Sequence, residues 1–133
     1  MRLPKWPGFK GTEVSDLGDD NTDDHIAQSY IWRRLGQYIR PNDILVADSG
    51  TAQFGFSDAC FPKNSTYITQ LYYGSIGYSV GACVGAAIAQ RELYRSGELS
   101  ELGRTILVVG DGSLQLTVQE IGTFIKLKLN VTM

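Results

Sequence analysis

The sequence predicts an α/β fold in which a parallel sheet is flanked by helices. Two short apolar runs, Ile44–Ala47 and Thr105–Val109, read as buried strands. Segments of helical periodicity precede, separate and follow them. Each run also ends in a polar turn that carries glycine, the punctuation expected where a strand leaves a sheet.

Taken in order, residues 1–21 contain Pro4, Pro7, Gly8, Gly11 and Gly18 with little periodicity, and are expected to form an extended lead-in. A single domain is expected over residues 22–133. Thr22-Asp23-Asp24 supplies capping oxygens and early negative charge for a first helix. Ala27, Ile31, Leu35 and Tyr38 or Ile39 follow at helical spacing, which gives that helix one buried face. Pro41-Asn42-Asp43 ends it before the first strand. From Phe54 to Gln70 the chain reads as loop-rich, with no clear regular element. Small residues then dominate Tyr78 to Leu93, where Gly81, Ala82, Gly85, Ala86, Ala87 and Ala89 predict a helix lying close against a neighbour despite the weak propensity of its glycines. Arg95 to Leu102 reads as a polar connection, and the β-branched run from Thr105 is the strongest strand signal. Leu114, Val118, Ile121, Ile125 and Leu129 predict one last helix with a continuous apolar stripe.

Composition narrows the function. The 133 residues suffice for one domain with a core; 43% apolar and 20% charged residues are the proportions of a globular chain. A net charge of −2 gives no basic footprint, which argues against nucleic acid and anionic membrane as partners. No apolar run reaches the length of a bilayer span, and the first residues lack the order of a signal peptide. Cys60 and Cys83 stand apart without metal-ligand spacing, so a reduced, cytoplasmic protein is expected. The one histidine, His25, falls where the first helix begins; a Cys/His zinc site or a hydrolytic triad would need more than the chain offers.

Chemistry collects in the two strand-end turns. In parallel α/β sheets, ligands bind beyond the carboxyl ends of the strands. Asp48-Ser49-Gly50-Thr51 follows the first strand and Gly110-Asp111-Gly112-Ser113 the second, so both should open on one edge. Gly110 and Gly112 permit a tight turn and the approach of a bulky anion, while free amides at the start of the next helix favour phosphate oxygens. Ser113 can cap that helix or donate to phosphate, and Ser49 and Thr51 can add hydroxyl donors. Asp111 would repel a bare phosphate, unless a hard cation such as Mg²⁺ lies between. Taken alone, Gly110-Asp111-Gly112-Ser113 is equally consistent with an ordinary strand-to-helix connection, and Ser49 and Thr51 favour that plainer reading. The glycine spacing fits neither a Walker loop nor the dinucleotide fingerprint.

The run Val109-Gly110-Asp111-Gly112-Ser113-Leu114-Gln115-Leu116-Thr117-Val118-Gln119-Glu120 resembles the opening of the thiamine-diphosphate motif in pyruvate decarboxylases, especially fungal ones. Ala47-Asp48-Ser49-Gly50-Thr51 resembles a cofactor turn of that family, in which Glu usually stands in place of Asp48. Tyr73-Gly74-Ser75-Ile76-Gly77 resembles its pyrimidine-contacting turn. The resemblance extends over about Ile26 to Leu129 and implies a truncated thiamine-diphosphate-binding domain of a 2-oxo-acid decarboxylase.

Carried over by position, the resemblance assigns Asp111 to Mg²⁺. It assigns Gly112, Ser113, Ser49, Gly50 and Thr51 to the diphosphate, and Gly74, Ser75 and Ile76 to the aminopyrimidine. It implies thiamine diphosphate and Mg²⁺ as cofactors, a small 2-oxo acid as substrate and a homo-oligomeric parent enzyme that converts pyruvate to acetaldehyde and CO₂. The family's magnesium motif continues to an Asn-bearing turn and a glutamate beyond Met133, and Asn130 falls too early to replace that ligand. Its cofactor-activating glutamate and paired histidines belong to another domain. The chain alone is therefore expected to be an inactive fragment. An indolepyruvate or phenylpyruvate decarboxylase remains open, as does a non-catalytic interaction role through the small-residue helix.

Overall fold

A computed structural model describes residues 26–133. The lead-in, the start of the first helix at Thr22–Asp24 and His25 lie outside the described residues. The first described helix, α1, is Gln28–Tyr38. Its end follows from Pro41, whose ring disfavours helical geometry in the residue before it, and Ile39 is already extended.

The chain then runs through β1 (Ile44–Ala47), α2 (Thr51–Gly55) with a short 3₁₀ turn at Phe56–Asp58, and β2 (Thr66–Thr69). Next come α3 (Tyr78–Ser96), β3 (Thr105–Val108), α4 (Asp111–Leu116), α5 (Glu120–Lys126) and β4 (Val131–Thr132). The four strands make one sheet in the order β2-β1-β3-β4, with every pair parallel. Ala47 pairs with Thr69 on one side and Val108 on the other, so β1, β2 and β3 end level with one another.

Alternation along the strands divides the core. Leu45, Ala47 and Ile106 face one way and pack with Ile39, Ala52 and Phe56, beneath α1 and α2. Val46 and Leu107 face the other way and pack with Val80, Cys83, Val84 and Phe124, beneath α3 and α5. Helices on both faces explain why β1, and β3 after Thr105, run apolar rather than alternating.

At the amino end of the sheet, buried Asp43 accepts bonds from the Arg40 and Arg104 amides, both at 2.8 Å, and from the Arg104 guanidinium. The Arg104 ion pair and the Asp43 carbonyl, which accepts the Thr66 amide at 3.0 Å, knit β1, β2 and β3 together at that end.

Four expectations change. The stretch Phe54–Gln70 holds the end of α2, the 3₁₀ turn and the edge strand β2 instead of an irregular loop. The small-residue helix buries Ser79, Val80, Cys83, Val84, Ala87 and Gln90, whereas Gly81 and Gly85 face open space and bring no neighbour close. It also runs one turn further, to Ser96, and stops at Gly97 in the left-handed conformation that suits glycine at a helix end. Finally, the expected single last helix is two. Thr117 leaves helical geometry (φ −138°, ψ 29°) and donates its hydroxyl to the Gly77 carbonyl at 2.8 Å. The break shifts the register, so Val118 and Ile125 are 49% and 73% exposed while Phe124 enters the core.

Candidate functional site

Because β1, β2 and β3 are parallel and end level, the turns after them open on one edge. These are 48–51 after β1, 70–77 after β2, and 109–113 after β3. The sequence suggests the first and third; the second reaches the same edge through β2, which reads as loop in the sequence.

The β1 turn begins with Asp48, which is 2% exposed and directed inward. Ser49 follows, half-buried, with Oγ donating to the Gln70 carbonyl at 3.3 Å. While that bond holds, Ser49 can accept a further bond but has no proton to donate. Gly50 has φ 146° and ψ −151°, a conformation open to glycine almost alone. A Cβ built on it would meet nothing within 4 Å, so the backbone here borders open space. Thr51 is exposed and opens α2.

In the β2 turn, Gly74 (φ 55°), Ser75 and Ile76 are all exposed, and Gly74 likewise has no neighbour where a Cβ would stand. The Gln70 side chain accepts the Tyr73 amide at 3.2 Å and the Ser75 carbonyl accepts the Tyr78 amide at 3.2 Å. Gly77 closes the turn. It has φ 85°, and a Cβ there would stand 2.9 Å from the Leu116 Cβ. No other residue provides both the conformation and the clearance.

In the β3 turn, Gly110 is the N-cap of α4 and supplies no side-chain cap. Ser113 is the third helical residue, so it does not occupy the N-cap position that the sequence allowed it. The amides of Asp111, Gly112 and Ser113 have no intrahelical acceptor, by the geometry of any helix start. Asp111 and Gly112 are exposed, Ser113 is half-buried, and the Cβ position of Gly112 is open. Three amides beside an exposed carboxylate can take a phosphate and its cation together. With only six residues, α4 adds little macrodipole, so the amides themselves matter most.

Asn130 sits just before β4, and β4 pairs Val131 with Thr105. It therefore lies at the amino end of the parallel sheet, opposite Asp111. This agrees with the expectation that it cannot complete a site there.

Sequence reasoning missed the residues that join the turns. The Asp48 carboxylate accepts the Gly77 amide, at 3.1 and 3.4 Å to its two oxygens, and the Ser79 hydroxyl at 2.6 Å. Thr117 holds the carbonyl of that same Gly77. No local pattern marks these pairings, because each partner is distant in sequence. The Thr66-Tyr67-Ile68-Thr69 run, rich in β-branched and aromatic residues, did carry a signal for β2.

Residues 48–133 match the family described as thiamine pyrophosphate enzyme, C-terminal TPP binding domain. The chain is 47% identical over 119 residues to a pyruvate decarboxylase of Aspergillus fumigatus, an alignment covering 87% of this chain and 20% of that protein. It is 48% identical over 117 residues to a pyruvate decarboxylase of Aspergillus terreus, covering 88% and 19% respectively. Pyruvate decarboxylase isozyme 1 of Saccharomyces cerevisiae is 43% identical over 101 residues, covering 76% of this chain and 17% of its own length. The chain thus spans about a fifth of the length of the curated relatives it matches. No helix among the described residues is long and apolar enough to cross a membrane.

Proposed function

The chain belongs to the thiamine pyrophosphate enzymes, as their C-terminal TPP binding domain, and on that premise we propose a role in pyruvate decarboxylation. It forms the part of a pyruvate decarboxylase that holds the diphosphate and Mg²⁺ of thiamine diphosphate. When bound, that cofactor supplies the carbon nucleophile and electron sink for converting a 2-oxo acid such as pyruvate to an aldehyde and CO₂.

The observation that carries this reading is the convergence of three separated turns on one sheet edge, each open where a ligand would lie. In it, Asp111 is the protein ligand of the cation. The amides of Gly112 and Ser113, with the Ser113 and Thr51 hydroxyls, bind diphosphate oxygens, and Ser49 and Gly50 line the same space. Gly74, Ser75 and Ile76 lie against the aminopyrimidine. Among the described residues, no group of three or more His, Cys, Asp and Glu is placed to hold a metal ion. That suits Mg²⁺ at a diphosphate, where one or two carboxylates with phosphate oxygens and water complete the shell. Residues 22–133 form the binding unit. The unit works within a cytoplasmic homo-oligomeric enzyme acting on a small 2-oxo acid.

Calorimetric titration of the chain with thiamine diphosphate, with and without Mg²⁺, tests the reading beside an Asp111→Ala variant. Binding that needs Mg²⁺ and disappears in the variant is expected. Equal binding by the variant, or a folded wild-type chain that binds nothing, would overturn it.

A further inference from the structure

We propose that Asp48 is a positioning residue that sets the distance between the diphosphate and pyrimidine turns. The inference rests on the functional reading above and concerns how this chain distinguishes the whole cofactor from its diphosphate end.

Asp48 directly follows β1 and precedes Ser49-Gly50-Thr51, yet its carboxylate turns away from that opening and into the protein. A carboxylate buried to this degree is costly unless its oxygens are bonded. Its donors are the Gly77 amide at 3.1 Å and the Ser79 hydroxyl at 2.6 Å. Among the described residues the one ion pair is Arg104 with Asp43, at the opposite end of the sheet. The charge of Asp48 is thus held by two donors from a single place, the end of the Gly74–Gly77 turn and the start of α3. Bonds to an ionised acceptor are short and directional, so they fix geometry more firmly than neutral bonds do. Thr117, just after α4, holds Gly77 from its other side at 2.8 Å.

The ligand contacts assigned to the two turns lie at opposite ends of one molecule. If Asp48 relaxes, the diphosphate amides after β3 remain where they are, because none of them bonds to Asp48. Only the Gly74–Gly77 turn moves. Asp48→Asn keeps the volume and one oxygen, and since both donors share Oδ2 that oxygen can still accept from each, but as a neutral acceptor it holds them less firmly than the carboxylate does. The consequence is selective: thiamine diphosphate loses affinity, whereas inorganic diphosphate does not.

Titrate the full chain and its Asp48→Asn and Ser79→Ala variants calorimetrically with thiamine diphosphate and, separately, inorganic diphosphate, each with Mg²⁺. Follow amide hydrogen exchange of residues 74–79 in the ligand-free proteins. Asp48→Asn is expected to weaken thiamine diphosphate by about tenfold, the equivalent of one charge-assisted bond, with diphosphate unchanged. Ser79→Ala should do the same more weakly, and exchange at Gly77 should quicken in both. Equal losses for the two ligands, or unchanged exchange at Gly77, would overturn the positioning role. A wild-type chain that binds neither ligand overturns the functional reading, and this inference with it.

Discussion

Asp48 and Thr117 hold the two peptide groups that flank Gly77, one at its amide and the other at its carbonyl. The Asp48 carboxylate accepts the Gly77 amide at 3.1 Å, and the Thr117 hydroxyl donates to the Gly77 carbonyl at 2.8 Å. One residue comes from the end of β1 and the other from the break between α4 and α5. Gly77 therefore ties its own turn to the β1 turn and to the end of α4, and its own geometry becomes a condition for the arrangement.

Gly77→Ala should expose that condition. A Cβ at φ 85° would stand 2.9 Å from the Leu116 Cβ and 3.3 Å from the Ser113 carbonyl, so backbone strain and a clash with α4 add together. A loss of about 2–3 kcal/mol is expected. Gly81→Ala is the control. That position is inside α3 with open space around it, and alanine there should add about 0.5–1 kcal/mol. Urea midpoints of the two variants should move in opposite directions. A shared direction would refute the account of both glycines.

The two central strands were legible because Ile44–Ala47 and Ile106–Val108 are covered on both faces, which writes itself into sequence as an unbroken apolar run. Edge strand β2 was not, because Thr66 and Tyr67 are exposed and the run lacks that signature. The turns around Gly50 and Asp111 could be read from residue types and from their place after strands. The clamp on Gly77 could not, since Asp48 looked like one more polar residue of a turn. What assigns it a role is its partner on α3, and only the fold brings the two together.

A second prediction concerns acid. Burial pushes the Asp43 carboxyl up, but the Arg104 guanidinium, with the amides of Arg104 and Arg40, outweighs it and holds the group below its ordinary range. The folded chain thus binds this proton more weakly than the unfolded chain. Stability from the contact is fully present above the unfolded value of about 4 and is lost as pH falls through the lower folded one. Asp43→Asn should cost about 2–3 kcal/mol at pH 7, less than a fully buried pair, because Arg104 keeps some solvent and its contact with Tyr38. Denaturant midpoints at pH 7 and below pH 4 measure the gap between wild type and variant. It should narrow in acid, and a constant gap would remove Asp43 from the acid response.

The thiols should separate by accessibility. Cys60 is exposed, while Cys83 is buried on the inner face of α3, where burial pushes its thiol up to about 12. The thiolate is the reactive form, so Cys83 should stay inert at neutral pH in the folded chain. A colorimetric thiol reagent should find one fast group in native protein and two in denaturant. Two fast groups in native buffer would mean that the α3 face of the core opens readily.

The last helix provides the sharpest contrast between pattern and packing. Helical spacing from Leu114 puts Ile125 on the buried stripe, but the break at Thr117 turns Phe124 inward instead. Phe124 is 8% exposed and packs with Val80, Val84 and Leu107, whereas Ile125 is 73% exposed. Phe124→Ala should therefore cost about 3–5 kcal/mol, from lost apolar burial and the cavity left behind. Ile125→Gln should change stability by no more than about 0.5 kcal/mol, since little of its side chain leaves water on folding. Thr117→Ala joins the two effects. It removes the bond to Gly77 and so the tertiary reason for the break, and hydrogen exchange should then quicken at Gly77 before it does in α3. If Ile125→Gln proves more damaging than Phe124→Ala, residues 111–129 form one continuous helix, and the break that carries Thr117 to Gly77 is not a feature of the folded chain.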